Sequence, residues 1–284
     1  MVVGADDHGI APATSAVIRE LLGRGRLTAT SSMVVFPEWP DEGARLAELG
    51  DRADLGLHLT LTDQSPVGPM PGLAPGGRLP SFGVLARRAL RGGIDRAEVR
   101  GELERQLDAF EGVIGRPPDY LDGHQHVHQL AGVREVVVEV LARRAPAAVV
   151  RTCVEAPARV LARGVAVTRA LAFAWAGRAL RRQAERAGLR TTPGFTGVYD
   201  FAPEPPFGDR AARFLVDAVP GTFWMCHPGA ADAVLVGRDS LVDQRAVEAA
   251  FLGSEACDAL FERLGLTRGR LQAGGAVSAP GPGR

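Results

Sequence analysis

The sequence predicts an α/β fold, a (β/α) barrel of about seven parallel strands. Two observations carry this expectation. Short apolar runs alternate with segments whose apolar residues recur at helical spacing, the pattern of parallel strands joined by crossover helices. The polar groups Asp6-Asp7, His58, His124, Arg151 and His227 each close one of those apolar runs. Barrel enzymes build their sites at that end of the strands, which favours a barrel over an open sheet.

Taken in order, Val2 to Ala5 reads as a buried parallel strand that runs into Asp6-Asp7-His8-Gly9. Pro12 opens a helix carrying Val17, Ile18, Leu21 and Leu22 up to Gly23. Thr28 to Phe36 is the second strand, Pro40 starts a short helix that stops at Gly50, and Asp54 to Leu61 is the third strand. Residues 63 to 83, dense in Pro and Gly, predict a long functional or mobile loop. Asp95 caps a helix whose face is Val99, Leu103, Leu107 and Phe110, and Gly115 ends it. A strand at Tyr120-Leu121 leads into the histidine cluster; Val133 to Leu141 is helix, and Ala147 to Val150 is a strand ending at Arg151. Residues 155 to 190, rich in Ala and Arg, predict helix with a solvated face. Thr192 to Phe201 is ambiguous between edge strand and loop. Asp209 to Val219 is helix, Thr222 to Cys226 is a strand ending at His227, and helices follow over 241 to 252 and 254 to 264. Residues 1 to 267 are expected to form a single domain, and 268 to 284 a disordered tail of Gly, Ala and Pro.

The totals narrow the function. A chain of 284 residues that is 46% hydrophobic and 23% charged can bury a substantial core. Zero net charge argues against nucleic acid as a partner. All 33 basic residues are Arg, which removes Schiff-base lysine chemistry. Cys153, Cys226 and Cys257 are too sparse for a disulfide framework. The start meets acid at Asp6, so no signal peptide is expected, and no apolar run is long enough for an integral membrane segment. The expected location is cytoplasmic.

His124, His126 and His128 alternate, so an extended segment would send all three imidazoles to one side. Crowded imidazoles cannot all hold protons near neutral pH, and a bound metal removes the conflict. A carboxylate with two or three imidazoles suits zinc or another divalent cation. Of two adjacent aspartates, one can face the metal while the other serves as general base, and His227, arriving on a separate strand, can protonate a leaving group. Each residue taken alone has a plainer reading: Asp6-Asp7 as a helix cap, His58 as a buried hydrogen-bonded histidine, Arg151 as a strand-end ion pair. His8 is open between a metal contact and a surface position, and Cys226 beside His227 raises a thiol nucleophile as a minor alternative.

The segments Ala5-Asp6-Asp7-x-Gly9, Gly56-Leu57-His58-Leu59-x-Leu61-Thr62, Leu121-Asp122-x-His124-x-His126-x-His128 and Met225-Cys226-His227-Pro228 stand in this order. Together they resemble the YdjC-like carbohydrate deacetylases, of which the chitooligosaccharide deacetylases are the best-known members. The resemblance implies a distorted (β/α) barrel like that of polysaccharide deacetylases. It implies a hydrolase that removes an N-acetyl group from an amino sugar or sugar conjugate, releasing acetate. It further implies that Asp7, His58 and His124 hold one divalent metal ion (zinc or magnesium), that Asp6 is the base and that His227 is the acid. His126, His128, Arg151 and His8 would surround them and the substrate. The sequence departs from the pattern at His8, where Phe is usual, and at Gly123, where Ser is common.

The sequence admits two other readings. One is a metal-dependent phosphoesterase or amidohydrolase on a related barrel, which lacks support from a second aspartate-histidine ligand set. The other is a catalytically silent sugar-binding protein. The expected partner is a small carbohydrate or glycoconjugate, and a homodimer is left open.

Overall fold

The computed structural model describes residues 1–271. Its sheet comprises β1 (Val2–His8), β2 (Ala29–Ser32), β3 (Asp54–Leu59), β4 (Tyr120–Gly123), β5 (Val149–Val150), β6 (Arg190–Thr191), β7 (Phe195–Thr196) and β8 (Phe223–Cys226). All are parallel, in the order β6-β5-β4-β3-β2-β1-β8-β7. The helices are α1 (Pro12–Gly23), α2 (Trp39–Ala47), α3 (Phe82–Leu90), α4 (Arg96–Ile114), α5 (Val133–Arg144) and α6 (Pro157–Arg163). They continue with α7 (Val167–Arg186), α8 (Phe207–Leu215), α9 (Ala233–Arg238), α10 (Asp243–Leu252) and α11 (Glu255–Arg263).

The order of strands itself shows that the sheet curls. β6 and β7 stand at opposite ends of the ladder, yet only Thr192-Pro193-Gly194 joins them. A chain that short spans at most about 14 Å, so the two edges must come round to face each other. The result is a distorted barrel with a seam between β6 and β7. The strand count is eight rather than about seven. Arg190, expected to end a helical segment, instead forms β6 with Thr191 beside β5 once α7 has ended.

Alternation along the strands separates two layers. Val3, Ala5, Leu55, Leu57, Leu59, Leu121 and Val150 pack outward under the helices in the main core. Val2, Ala29, Tyr120, Val149, Phe195, Phe223 and Met225 form a second cluster inside the curl. Tyr120 and Phe223 meet there at 5.5 Å between ring centroids. Their bulk explains two strand glycines: a Cβ on Gly4 would lie 2.1 Å from the Phe223 ring, and one on Gly56 would lie 2.6 Å from Tyr120. The interior is thus plugged by aromatics below, and the polar strand ends lie above the plug.

Several boundaries differ from expectation because tertiary contacts outweigh local pattern. The second strand stops at Ser32, since Met33 and Phe36 pack with Ile10 and Leu235 in a satellite cluster. The third stops at Leu59 because the Gln106 side chain takes over the backbone of Thr60, accepting from its N–H (3.0 Å) and donating to its carbonyl (2.8 Å). The Pro- and Gly-rich loop is tied down by two α4 carboxylates. Glu102 accepts from the Val67 and Gly68 amides, and Glu98 from Gly72 and Leu73. At the other end, Arg270 and the Leu271 amide bind Asp54. The start of the expected tail is therefore packed, and residues 272–284 lie outside the described residues.

Candidate metal centre

β1 carries Asp6 and Asp7, and a regular strand would point them to opposite faces. A bulge prevents this. Ala5 pairs with Thr30 and His8 with Ser32, so three steps of β1 face two of β2, and Asp7 takes φ = 67°. Both carboxylates consequently reach the same cavity. Such a φ is costly for a residue with a Cβ, on the order of 1–3 kcal/mol. Here it sets two acids side by side.

Asp7 Oδ1 lies 3.2 Å from His58 Nε2 and 3.0 Å from His124 Nδ1. One donor atom from each of the three residues falls within 4.8 Å of the others, with all three side chains buried. Arg245 from α10 binds Asp7 Oδ2 at 2.7 Å, leaving Oδ1 to face the two histidines. His58 Nδ1 donates to Asp122 Oδ1 at 2.7 Å. Asp122 Oδ2 accepts from Ser31 Oγ (2.9 Å) and pairs with Arg151 Nη1 (2.9 Å). A carboxylate behind a ligating imidazole fixes its tautomer and raises its basicity. Burial alone would lower the proton affinity of His58, but the Asp122 and Asp6 carboxylates overcome it and push the pKa up to about 10. The position demands positive charge, and a nitrogen and oxygen donor set of this kind fits a divalent cation.

Arg151 directly follows β5, fully buried, and grips both oxygens of Asp6, with Nη2 to Oδ2 at 2.8 Å. Its guanidinium rests over the Phe195 and Phe223 rings of the interior plug. Asp6, His58 and Asp122 also form a three-donor group. Arg151 bridges the two carboxylates of that group, so a guanidinium already supplies the cation there.

The histidine segment is not extended. Residues His124–Gln129 form a tight 3-10 turn in which Gln125 (φ 52°) and His126 (φ 62°) are left-handed. The three imidazoles therefore part company. His124 faces Asp7; His126 packs against Phe173 at 4.4 Å and Phe195 at 5.7 Å; His128 Nε2 bonds the Arg151 carbonyl at 2.8 Å. Burial pushes the pKa of His128 down to about 3, so Nε2 donates as a neutral ring. His8, open between metal contact and surface, is neither. It is fully buried, shares a 3.1 Å hydrogen bond with Ser32 Oγ, and sets its edge against Trp39.

His227 follows β8 and lines the same cavity as Asp6, Asp7, His58 and His124. Its backbone N–H donates to Glu248 Oε2 at 2.6 Å, and its ring meets Phe201 at 5.1 Å. Glu248, buried on α10, also accepts from the Tyr199 hydroxyl. Cys226 is buried, and burial pushes its thiol pKa well above the ordinary value, which removes it as a nucleophile. All three cysteines are free. No helix among the described residues is long and apolar enough to cross a membrane.

A curled parallel β/α sheet with an Asp-His-His cluster at its carboxyl rim defines a barrel protein with a candidate metal centre. The chain belongs to the YdjC-like protein family, whose profile matches residues 1–263. It is similar to a mouse carbohydrate deacetylase, 36% identical over 214 residues, covering 70% of this chain and 65% of that one. A human carbohydrate deacetylase is 38% identical over 151 residues, covering 50% and 45% of the respective chains. The matches thus span between about half and two thirds of those relatives. An Enterococcus faecalis structure named for cellobiose-phosphate cleavage shares the fold, with a TM-score of 0.74, 20% identity and coverage of 95% and 96%.

Proposed function

We propose that this protein is a metal-dependent carbohydrate N-deacetylase, removing acetate from an N-acetylated amino sugar or conjugate. The observation that carries the reading is the convergence of Asp7, His58 and His124 within 4.8 Å beside Asp6, in one cavity with His227. Relatives named carbohydrate deacetylase, including the mouse protein, support the substrate class.

Asp7, His58 and His124 would hold one divalent cation, with zinc favoured by the two imidazoles, and when bound it would supply Lewis acidity at the acetamido carbonyl. Asp6, oriented by both arms of Arg151, takes the proton from the attacking water. His227 gives a proton to the departing amine nitrogen, so that the C–N bond breaks to acetate and a free amine. Glu248, through the backbone N–H of His227, fixes where that ring stands. Asp122 holds the His58 tautomer, and Arg245 aims Asp7.

Acetate release from N-acetylglucosamine, chitooligosaccharides and acetylated glycoconjugates, with and without added divalent cation, tests the reading. Cation-dependent release that falls by about 10²–10⁴-fold in Asp6→Asn is expected. No release from any substrate class by well-folded, cation-loaded protein would refute it.

A further inference from the structure

Cys153 is a buried side chain that the proposed chemistry leaves without a role. It lies three residues beyond β5, and Gln129, the last residue of the histidine turn, accepts its backbone N–H through Oε1 at 3.0 Å. Gly177 lets α7 close over the pair, since a Cβ there would lie 2.7 Å from Gln129 Oε1 and 3.0 Å from the Cys153 nitrogen. The thiol is thereby set 3.4 Å from His126 Nδ1. The His126 ring, 8% exposed, is clasped edge to face by Phe173 at 4.4 Å and Phe195 at 5.7 Å. It lines the cavity that holds Asp6, Asp7, His58 and His124, and no described residue bonds its Nε2.

The direction of the hydrogen bond between Cys153 Sγ and His126 Nδ1 sets the tautomer of the ring. Burial pushes the thiol pKa well above its ordinary value, more than the neighbouring Arg151 lowers it, so the sulfur keeps its proton. Among the described residues that S–H has no acceptor besides Nδ1. A thiol sulfur is a weak acceptor and an imidazole nitrogen a good one. S–H to Nδ1 therefore satisfies both groups, whereas N–H to sulfur would strand the buried thiol proton. With Nδ1 accepting, the ring proton sits on Nε2. We propose that Cys153 is a positioning residue that holds His126 in its Nε2–H form, with that N–H donating to an oxygen of the bound sugar. This rests on the deacetylase reading. A ring fixed before the sugar arrives spares the complex the cost of ordering it.

Nitrogen NMR of the full chain, loaded with zinc and isotope-labelled at histidine, reads the tautomer directly. The His126 signals are assigned by their loss in His126→Gln. A protonated Nε2 and a bare Nδ1 are expected, and the reverse would overturn the proposal. Kinetics on the most active acetylated substrate of the acetate-release screen read the consequence. Cys153→Ala is expected to raise KM about 3–10-fold, the size of one neutral hydrogen bond, with kcat nearly unchanged. Cys153→Ser, whose hydroxyl donates from the same place, should bring KM to within about twofold of wild type. A packing defect would instead follow thermal stability and leave Cys153→Ser no better than Cys153→Ala. An unchanged KM in Cys153→Ala, or no recovery in folded Cys153→Ser, would overturn the proposal. Acetate release by a protein whose His126 carries its proton on Nδ1 would sink this inference and leave the deacetylase reading standing. No acetate from any substrate, with the proton on Nε2, would sink that reading and the sugar contact with it.

Discussion

Asp122→Asn tests the part of the site that would orient the proposed ligands. Asp122 is fully buried and accepts from His58 Nδ1 (2.7 Å), Ser31 Oγ (2.9 Å) and Arg151 Nη1 (2.9 Å). Asparagine keeps the shape but loses the charge and presents an N–H₂ group toward one of those donors. Two charge-assisted bonds are weakened or lost, each worth about 1.5–3 kcal/mol. The sum agrees with the roughly 3–5 kcal/mol cost of breaking a buried ion pair on one side. For a chain of this length, each kcal/mol lowers Tm by about 2–4 °C, so a loss of roughly 6–20 °C is expected without metal. Loss of the carboxylate behind His58 should also weaken cation affinity by about 10–100-fold. Calorimetric titration of the purged variant with zinc measures the second effect, and scanning calorimetry before and after loading measures the first. A variant that binds zinc as tightly as wild type would refute the orienting role, whatever its Tm.

The other predictions concern separate links. Asp6→Asn should keep cation binding while deacetylation falls by about 10²–10⁴-fold, the usual contribution of a general base. Gly4→Ala drives a methyl into the Phe223 ring, which a Cβ would meet at 2.1 Å, and should destabilise by about 1–3 kcal/mol in urea titration. Burial raises the carboxyl pKa of Glu248 above its ordinary 4.5, more than His227 and the Tyr199 hydroxyl lower it. The folded state then binds the proton more tightly than the unfolded one, and the stability it contributes is lost as pH rises from 4.5 through the raised value. Glu248→Gln should flatten that part of the stability profile, and an unchanged slope would show that Glu248 does not titrate differently on folding.

The strand-end polar groups were legible because each interrupts an apolar run, a mark that survives without knowledge of the fold. That Asp6, Asp7, His58, His124 and His227 line one cavity followed from barrel topology. The seam was not legible, since two-residue strands such as Arg190–Thr191 carry no pattern of their own. Nor was the bulge: nothing in Ala5-Asp6-Asp7-His8 signals a left-handed aspartate, a conformation that local sequence rarely dictates. Alternation of the histidines suggested an extended segment, but left-handed Gln125 and His126 wind it into a turn. Asp122 stood in the quoted motif without a role, because only its partners on β2, β3 and β5 give it one. Arg245 and Glu248, three residues apart on α10, lie in a predicted helix where nothing in the sequence singles them out. Their burial depends on contacts with β1 and β8, more than twenty residues distant in the nearest case.

In the proposed function Asp7, His58 and His124 act together as the cation site. Metal content per chain after purification and dialysis against excess zinc tests this most directly, read beside circular dichroism to confirm folding. About one equivalent in wild type and almost none in His58→Ala and His124→Ala is the predicted result. Folded wild type without bound cation, or variants that retain a full equivalent, would contradict it.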